Sequence, residues 1–486
     1  MRTPATVLEV RKWFLRALAL VHLASFLSLA SQVAWLIGAQ GLLPAEAWLE
    51  GLRGQVPLWQ VPTIFWFGAS NAVLRCGAVL GAVFAVALLF GVHPRVSLIA
   101  LWVLYLSFVS VGQTFFAFQW DNLLLESTLL AWFVAPWRRS GLAVPPHPAA
   151  VFLMQWLLVR LHVESGLAKL LSGDPSWRDL TALVTYYETA PLPTWLGWFA
   201  HQLPVVVHQL GALFTLVVEI ALPWGIWGPR TIRRLSVGGL ALLQFFILAT
   251  ANYGFFNYLT LALCLWGLDD QDIRTLVRSL GGRTPASPAD TRATGSARLS
   301  AFAVWVLAGV WAFIAVVPFF PFLPPLRQAL PGLRQSLQPW RLANAYHLFA
   351  TMTYVRYEPV IEGSEDGQEW REYEFRYKPG DVRRAPAVVA PHQPRVDFQL
   401  WFLLLRGRAP RDQYFYNLLV RLLTNHGAVE GLFADDPFSG RMPRMVRLVV
   451  YRYRFTDWRT WRSTGAWWQR ERVATFGPIE RDNVRR

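Results

Sequence analysis

The sequence predicts an α+β membrane protein: a polytopic α-helical transmembrane bundle of about nine spans over residues 1–323, then a β-rich, sandwich-like exported domain over residues 324–486. Three observations carry this. The 486 residues are 54% hydrophobic and only 16% charged, with a mean hydropathy of +0.30, too apolar for an ordinary soluble enzyme of that length. Apolar runs long enough to cross about 30 Å of hydrocarbon recur as far as Leu323. After Pro324 they give way to short, alternating, aromatic-rich runs of the kind that form strands.

The first run, Trp13 to Ile37, follows Arg2, Arg11 and Lys12, and no small-residue cleavage site follows a short apolar core, so it reads as a retained anchor. Further spans are expected at Ile64–Phe90, Val96–Phe118, Leu123–Ala135, Ala150–Leu171, Val207–Trp227, Leu235–Ala251, Phe255–Leu268 and Leu299–Leu323. Loops on one side carry Arg95, the Arg138 and Arg139 pair, and Arg230, Arg233 and Arg234, as does the mixed linker from Asp269 to Arg298. By the positive-inside rule this places the N-terminus in the cytoplasm, and an odd number of spans exports everything after Pro324. Within the linker, Gly281–Ser296 is rich in Gly, Pro, Ser, Thr and Ala and reads as a disordered tether.

In the exported part, Tyr354–Glu362 and Trp370–Tyr377 flank turn residues Gly363 to Gly367 and predict a hairpin. Arg444–Phe455 reads as another strand, and Tyr414–Leu423 has helical spacing. Cys76 and Cys264 both fall in apolar runs, which excludes a disulfide framework and exported thiol chemistry. The net charge of +15 is spread over both halves with no nucleic-acid motif, so acidic lipid headgroups are the expected partner and nucleic acid is not. No metal site is expected: His392 with Asp397, and His201 with His208, lack the spacing of an established one.

The run Ala150–Leu171 carries Arg160, His162, Glu164 and Lys169, and a loop with Asp174, Trp177, Arg178, Asp179, Tyr187 and Glu188 follows. Charge at membrane depth costs a few kcal/mol per group, so this helix must turn those groups toward protein, water or a ligand. At about 100° per residue, Gln155, His162 and Lys169 form one stripe that suits a cavity, while Arg160 and Glu164 share the roughly opposite face as an ion pair. Lys169 alternatively snorkels to headgroups. Asn71, Arg75 and Glu219 are candidates to complete a polar core. Asp121 and Glu126 read as caps of a short span or as ligand contacts, and Asn252 and Asn257 as a tight turn about Gly254 or as ligand contacts.

The order Gln119-Trp120-Asp121-Asn122-Leu123-Leu124-Leu125-Glu126, Gly166-Leu167-Ala168-Lys169, Trp177-Arg178-Asp179-Leu180-Thr181 and Tyr187-Glu188-Thr189 resembles the lipase maturation factor family. The resemblance continues through Asn252-Tyr253-Gly254-Phe255-Phe256-Asn257, Ile361-Glu362-Gly363-Ser364 with Trp370, Pro391-His392-Gln393-Pro394-Arg395-Val396-Asp397 and Tyr451-Arg452-Tyr453-Arg454-Phe455-Thr456. It implies an integral membrane protein needed for newly secreted dimeric lipases to fold. The animal members belong to the endoplasmic reticulum; a bacterial one would sit in the inner membrane with its globular domain in the periplasm.

The membrane half also resembles the transmembrane domain of vitamin K-dependent γ-carboxylases, through Gly166-Leu167-Ala168-Lys169 with Trp177 beyond it. That resemblance implies Lys169 as a base, tuned by His162, Arg160 or Glu164, and a bound quinone or lipid; no cofactor is otherwise implied. Two readings follow: a folding factor gripping a secreted client, and a membrane enzyme.

Overall fold

Helices cover each predicted apolar run in the computed structural model, which describes residues 7–138, 144–279, 281, 298–405 and 412–484. Local chemistry sets their starts. Pro94 and Pro148 open Pro94–Val111 and Pro148–Leu171, where a missing N–H costs nothing. The Ser70 hydroxyl caps Asn71–Leu89 by accepting from Val73 N. That second helix begins later than expected, because Ile64–Phe67 is a separate 3-10 turn.

Among the described residues, five helices are long and apolar enough to cross a membrane, or six if the bent pair Trp195–His201 and Val205–Ile220 counts as one span. The expected nine is therefore not reached on length and composition. Pro148–Leu171 has the length, at 24 residues, but its charges lower its apolarity. The tether Gly281–Ser296 lies outside the described residues, Gly281 excepted, as does Arg139. Before it, Asp270–Ser279 is a helix whose Asp272 is paired with Arg230, Arg233 and Arg234.

The helix ends sort into two sets. At one, the amides of Leu8, Glu9 and Val10 donate to the Asp270 carboxylate at 2.9, 2.8 and 3.1 Å, satisfying N–H groups that a helix start leaves orphaned. At the other end of that first helix, Leu8–Ala30, Gln32 donates to Gln393 O and accepts from Arg395 N. The residues after 340 thus seat on the ends opposite Leu8, called here the outer ends.

The strands are β1 (Arg356–Ser364), β2 (Arg371–Phe375), β3 (Phe433–Asp435), β4 (Met445–Phe455) and β5 (Trp468–Glu480). They form one antiparallel sheet in the order β3-β2-β1-β4-β5. The expected hairpin is β1–β2, with Ile361 opposite Tyr373, and its turn is closed by Gly367 at φ +78° and by Asp366 accepting from Gln368 N and Glu369 N. A second sheet, which a sandwich requires, is not found among the described residues; helices Arg395–Phe402 and Gln413–Thr424 pack on β1 and β4 instead. Helix and turn chemistry, rather than a second set of strands, buries the sheet.

Candidate functional site

Between the bundle and the sheet runs an irregular segment, residues 344–354, whose main-chain groups would be buried without partners. The charged residues of helix Pro148–Leu171 supply those partners. Arg160 donates to Asn344 O at 2.7 Å, Glu164 accepts from Tyr346 N at 2.9 Å and Lys169 donates to Leu348 O at 2.9 Å. Just past the helix, Trp177 Nε1 donates to Phe349 O at 2.8 Å, and Asp174 accepts from Met352 N and from the Tyr354 hydroxyl, both at 2.7 Å. One helix and the loop after it therefore clamp an irregular strip of backbone.

Each clamp has a counter-charge. Arg160 is paired with Glu126, whose other oxygen accepts from Asn344 Nδ2 at 3.0 Å and from the Tyr346 hydroxyl at 2.9 Å. Glu164 stands farther off, 3.9 Å from Arg160. Lys169 Nζ lies 2.9 Å from Glu219 Oε1, with the Trp177 ring 5.1 Å away. Gly166 makes that pairing reachable: a Cβ there would come within 2.6 Å of Ile220 on the neighbouring helix, so only glycine lets the two helices close. A third centre joins Arg395 to Asp121 at 2.8 and 3.0 Å, with the Tyr105 hydroxyl also on Asp121 and the Phe116 ring stacked 3.6 Å from the guanidinium.

Several expectations change accordingly. Glu126 and Asp121 are partners of arginines rather than helix caps. Arg160 takes Glu126 as its main partner, and Lys169 is buried against Glu219 instead of snorkelling. Asn71 and Arg75 face outward, away from any polar core, whereas Glu219 belongs to it. Arg178 and Asp179 are exposed, and Glu188 accepts from Phe455 N at 2.8 Å beside the half-buried Tyr187.

The cavity stripe is half realised. His162 and Lys169 line a cavity of about 80 Å³ with Gln244, Asn257, Tyr253 and Phe349. Gln155 instead bonds Trp266 O and the Trp227 ring N–H. A chain of hydrogen bonds runs from Asn257 through Gln244 to His162, while Asn252 binds Leu192 O, Ala387 O, Val389 N and Ala390 N. So Asn252 closes the seam and Asn257 faces the cavity. The volume is well short of the roughly 150 Å³ that takes up a benzene ring, and it suits water better than a ring system.

Residues 9–275 match the family model described as the lipase maturation factor transmembrane domain, and residues 342–478 match that of the C-terminal domain. The chain belongs to the lipase maturation factor family. It is 35% identical to lipase maturation factor 2 of Rattus norvegicus and 34% identical to that of Homo sapiens, over 96% of this chain and 82% of each relative. Against lipase maturation factor 1 of Bos taurus the identity is 32%, over 97% of this chain and 89% of that relative. No solved structure matches it. The motifs that carried the lipase maturation factor resemblance contain Asp121, Glu126, Lys169, Trp177 and Arg395, which are among the side chains at the seam.

Sequence reasoning missed Asn344, Tyr346 and Arg356. Arg356 donates to Glu188 O and Pro191 O at 3.0 and 2.9 Å and pairs with Glu358, a buried arginine on a strand that periodicity alone reads as surface. Asp174 gives a testable pH dependence. Burial pushes its carboxyl up, but the hydrogen bonds from Met352, Tyr354 and Ser176 outweigh it and leave the pKa below the ordinary 3.8. Its clamp is therefore at full strength above pH 4 or so and weakens as pH falls through the lowered value. Asp174→Asn is expected to remove that acid dependence, read as proteolytic nicking of the 344–354 segment against pH.

Proposed function

We propose that this protein is a membrane-embedded maturation factor for secreted proteins, with lipase-type clients. The observation that carries this reading is the full-length relationship to proteins named lipase maturation factors. On this reading the helices of the first 323 residues form a nine-span membrane domain with the N-terminus in the cytoplasm. The outer ends then face the lumen, or the periplasm if the membrane is a bacterial inner one. The client meets the protein at the exposed Arg178 and Asp179 beside the seam and at the half-buried Trp370 by the β1–β2 turn.

The clamp supports a holding role over a chemical one. Arg160 and Lys169 each bond both a backbone carbonyl and a counter-charge, and Glu164 accepts from Tyr346 N, so these groups are engaged in holding the 344–354 segment. The test is the yield of a secreted dimeric lipase. Co-expression with Asp179→Ala or Trp370→Ala is expected to lower secreted lipase activity several-fold while the amount of membrane protein stays constant. Equal lipase activity with and without the protein sinks the proposal.

A further inference from the structure

The seam leaves one surface whose chemistry points elsewhere. Helix Trp195–His201 meets Val205–Ile220 at 114°, so if the latter crosses the membrane the former lies nearly in its plane. The junction exposes Leu203 (47%), Val205 (53%) and Val206 (61%), apolar side chains that suit acyl chains and not water. On the lying helix, Trp198 is fully buried while Trp195 is 42% exposed and its neighbour Leu196 is exposed as well.

A second short helix from the other end of the chain shares this surface. Trp458–Thr464 packs on Trp198 and Phe199, with ring centroids of Trp458 at 6.0 and 5.9 Å and Trp461 at 5.7 Å from Trp198. Gln202 Nε2 donates to Thr456 O at 3.0 Å and ties the two together. Trp458 remains 43% exposed, beside the exposed guanidinium side chains of Arg459 and Arg462, the latter 5.4 Å over the Trp458 ring. Tryptophan at headgroup depth and arginine reaching for phosphate are the signature of a membrane–water interface.

We infer that Trp195, Leu196, Trp458, Arg459 and Arg462 form a headgroup-level platform that seats the sheet domain on the phospholipids of the outer leaflet. The apolar junction at Leu203 to Val206 adjoins the helix that carries Trp195 and Leu196, on which Trp458 and Trp461 pack, and this continuity of apolar and aromatic surface makes lipid the occupant. Arginine beside an indole face matches a phosphate above an acyl boundary. The platform holds the end of β4 and the start of β5 at a fixed height, since Phe455 stacks on Trp468 at 4.2 Å directly behind it.

The test uses the full chain in nanodiscs of phosphatidylcholine and phosphatidylglycerol, with Cys76→Ser removing the exposed thiol and Cys264 left buried. A nitroxide is placed on Arg462→Cys, one helical turn from Trp458, and in a separate sample on Glu369→Cys in the exposed β1–β2 turn. Accessibility to oxygen relative to a water-soluble nickel chelate is then measured. The ratio at 462 is expected to exceed that at 369 several-fold. An equal ratio means that the surface stands in water and is free for a protein partner, and it overturns the inference. Exclusion of both reagents at 462 means that protein covers it, and overturns the inference too.

Discussion

Arg160→Met is expected to cost about 3–5 kcal/mol and to leave little folded protein, because it removes one cation from between two buried carboxylates. Glu126 and Glu164 would then share a site with no counter-charge, and Asn344 O would lose its donor. The reciprocal change is gentler. Glu126→Gln keeps an acceptor for Tyr346 and leaves Arg160 facing Glu164, so it is expected to cost less than half as much. Thermal unfolding of the detergent-purified variants, followed by intrinsic fluorescence, orders the two. The opposite order would mean that Arg160 is not the hub of this centre.

Arg395→Met is expected to do comparable damage at a different place, again about 3–5 kcal/mol, by leaving the buried Asp121 carboxylate without its counter-charge and Phe115 O without its donor. Here the bundle need not unfold, because the lost contacts join the sheet domain to the helix ends. The predicted result is a protease-sensitive chain between residues 324 and 395 above an intact helical half. Pairing Arg395→Met with Asp121→Leu should recover most of the loss, since well-packed apolar residues often replace a buried ion pair at little cost. Failure of that double variant to recover would mean that the pair carries a role beyond docking.

The helical half was largely legible, because each expected apolar run contains a helix; among the described residues five helices, or six with the bent pair, also have the length and apolarity that crossing a bilayer requires. The strand candidates were legible where the strand is largely buried, as in β1 and β4, or alternates, as in β2. β5 was not: Trp468–Glu480 is exposed along nearly its whole length, with Arg470, Glu471 and Arg472 on an edge that charge protects from further pairing. An edge strand of that kind lacks the alternation from which strands are read.

At the site, the need to pair the intramembrane charges followed from the cost of burying them, and Glu219 was named for that reason. What the pairing was for did not follow. Arg160 meets Asn344, and Asp121 meets Arg395, across separations in the chain that no local spacing encodes. Helical geometry put Arg160 and Glu164 together, at 3.9 Å, and the tertiary fold added Glu126 as the closer partner.

The clamp along residues 344–354 takes hold largely of amides and carbonyls, which every residue possesses. Ala350, Thr351 and Thr353 can therefore change in identity while the joint keeps its grip. A new side chain at any of these positions recolours the collar's surface and leaves its main-chain bonds intact.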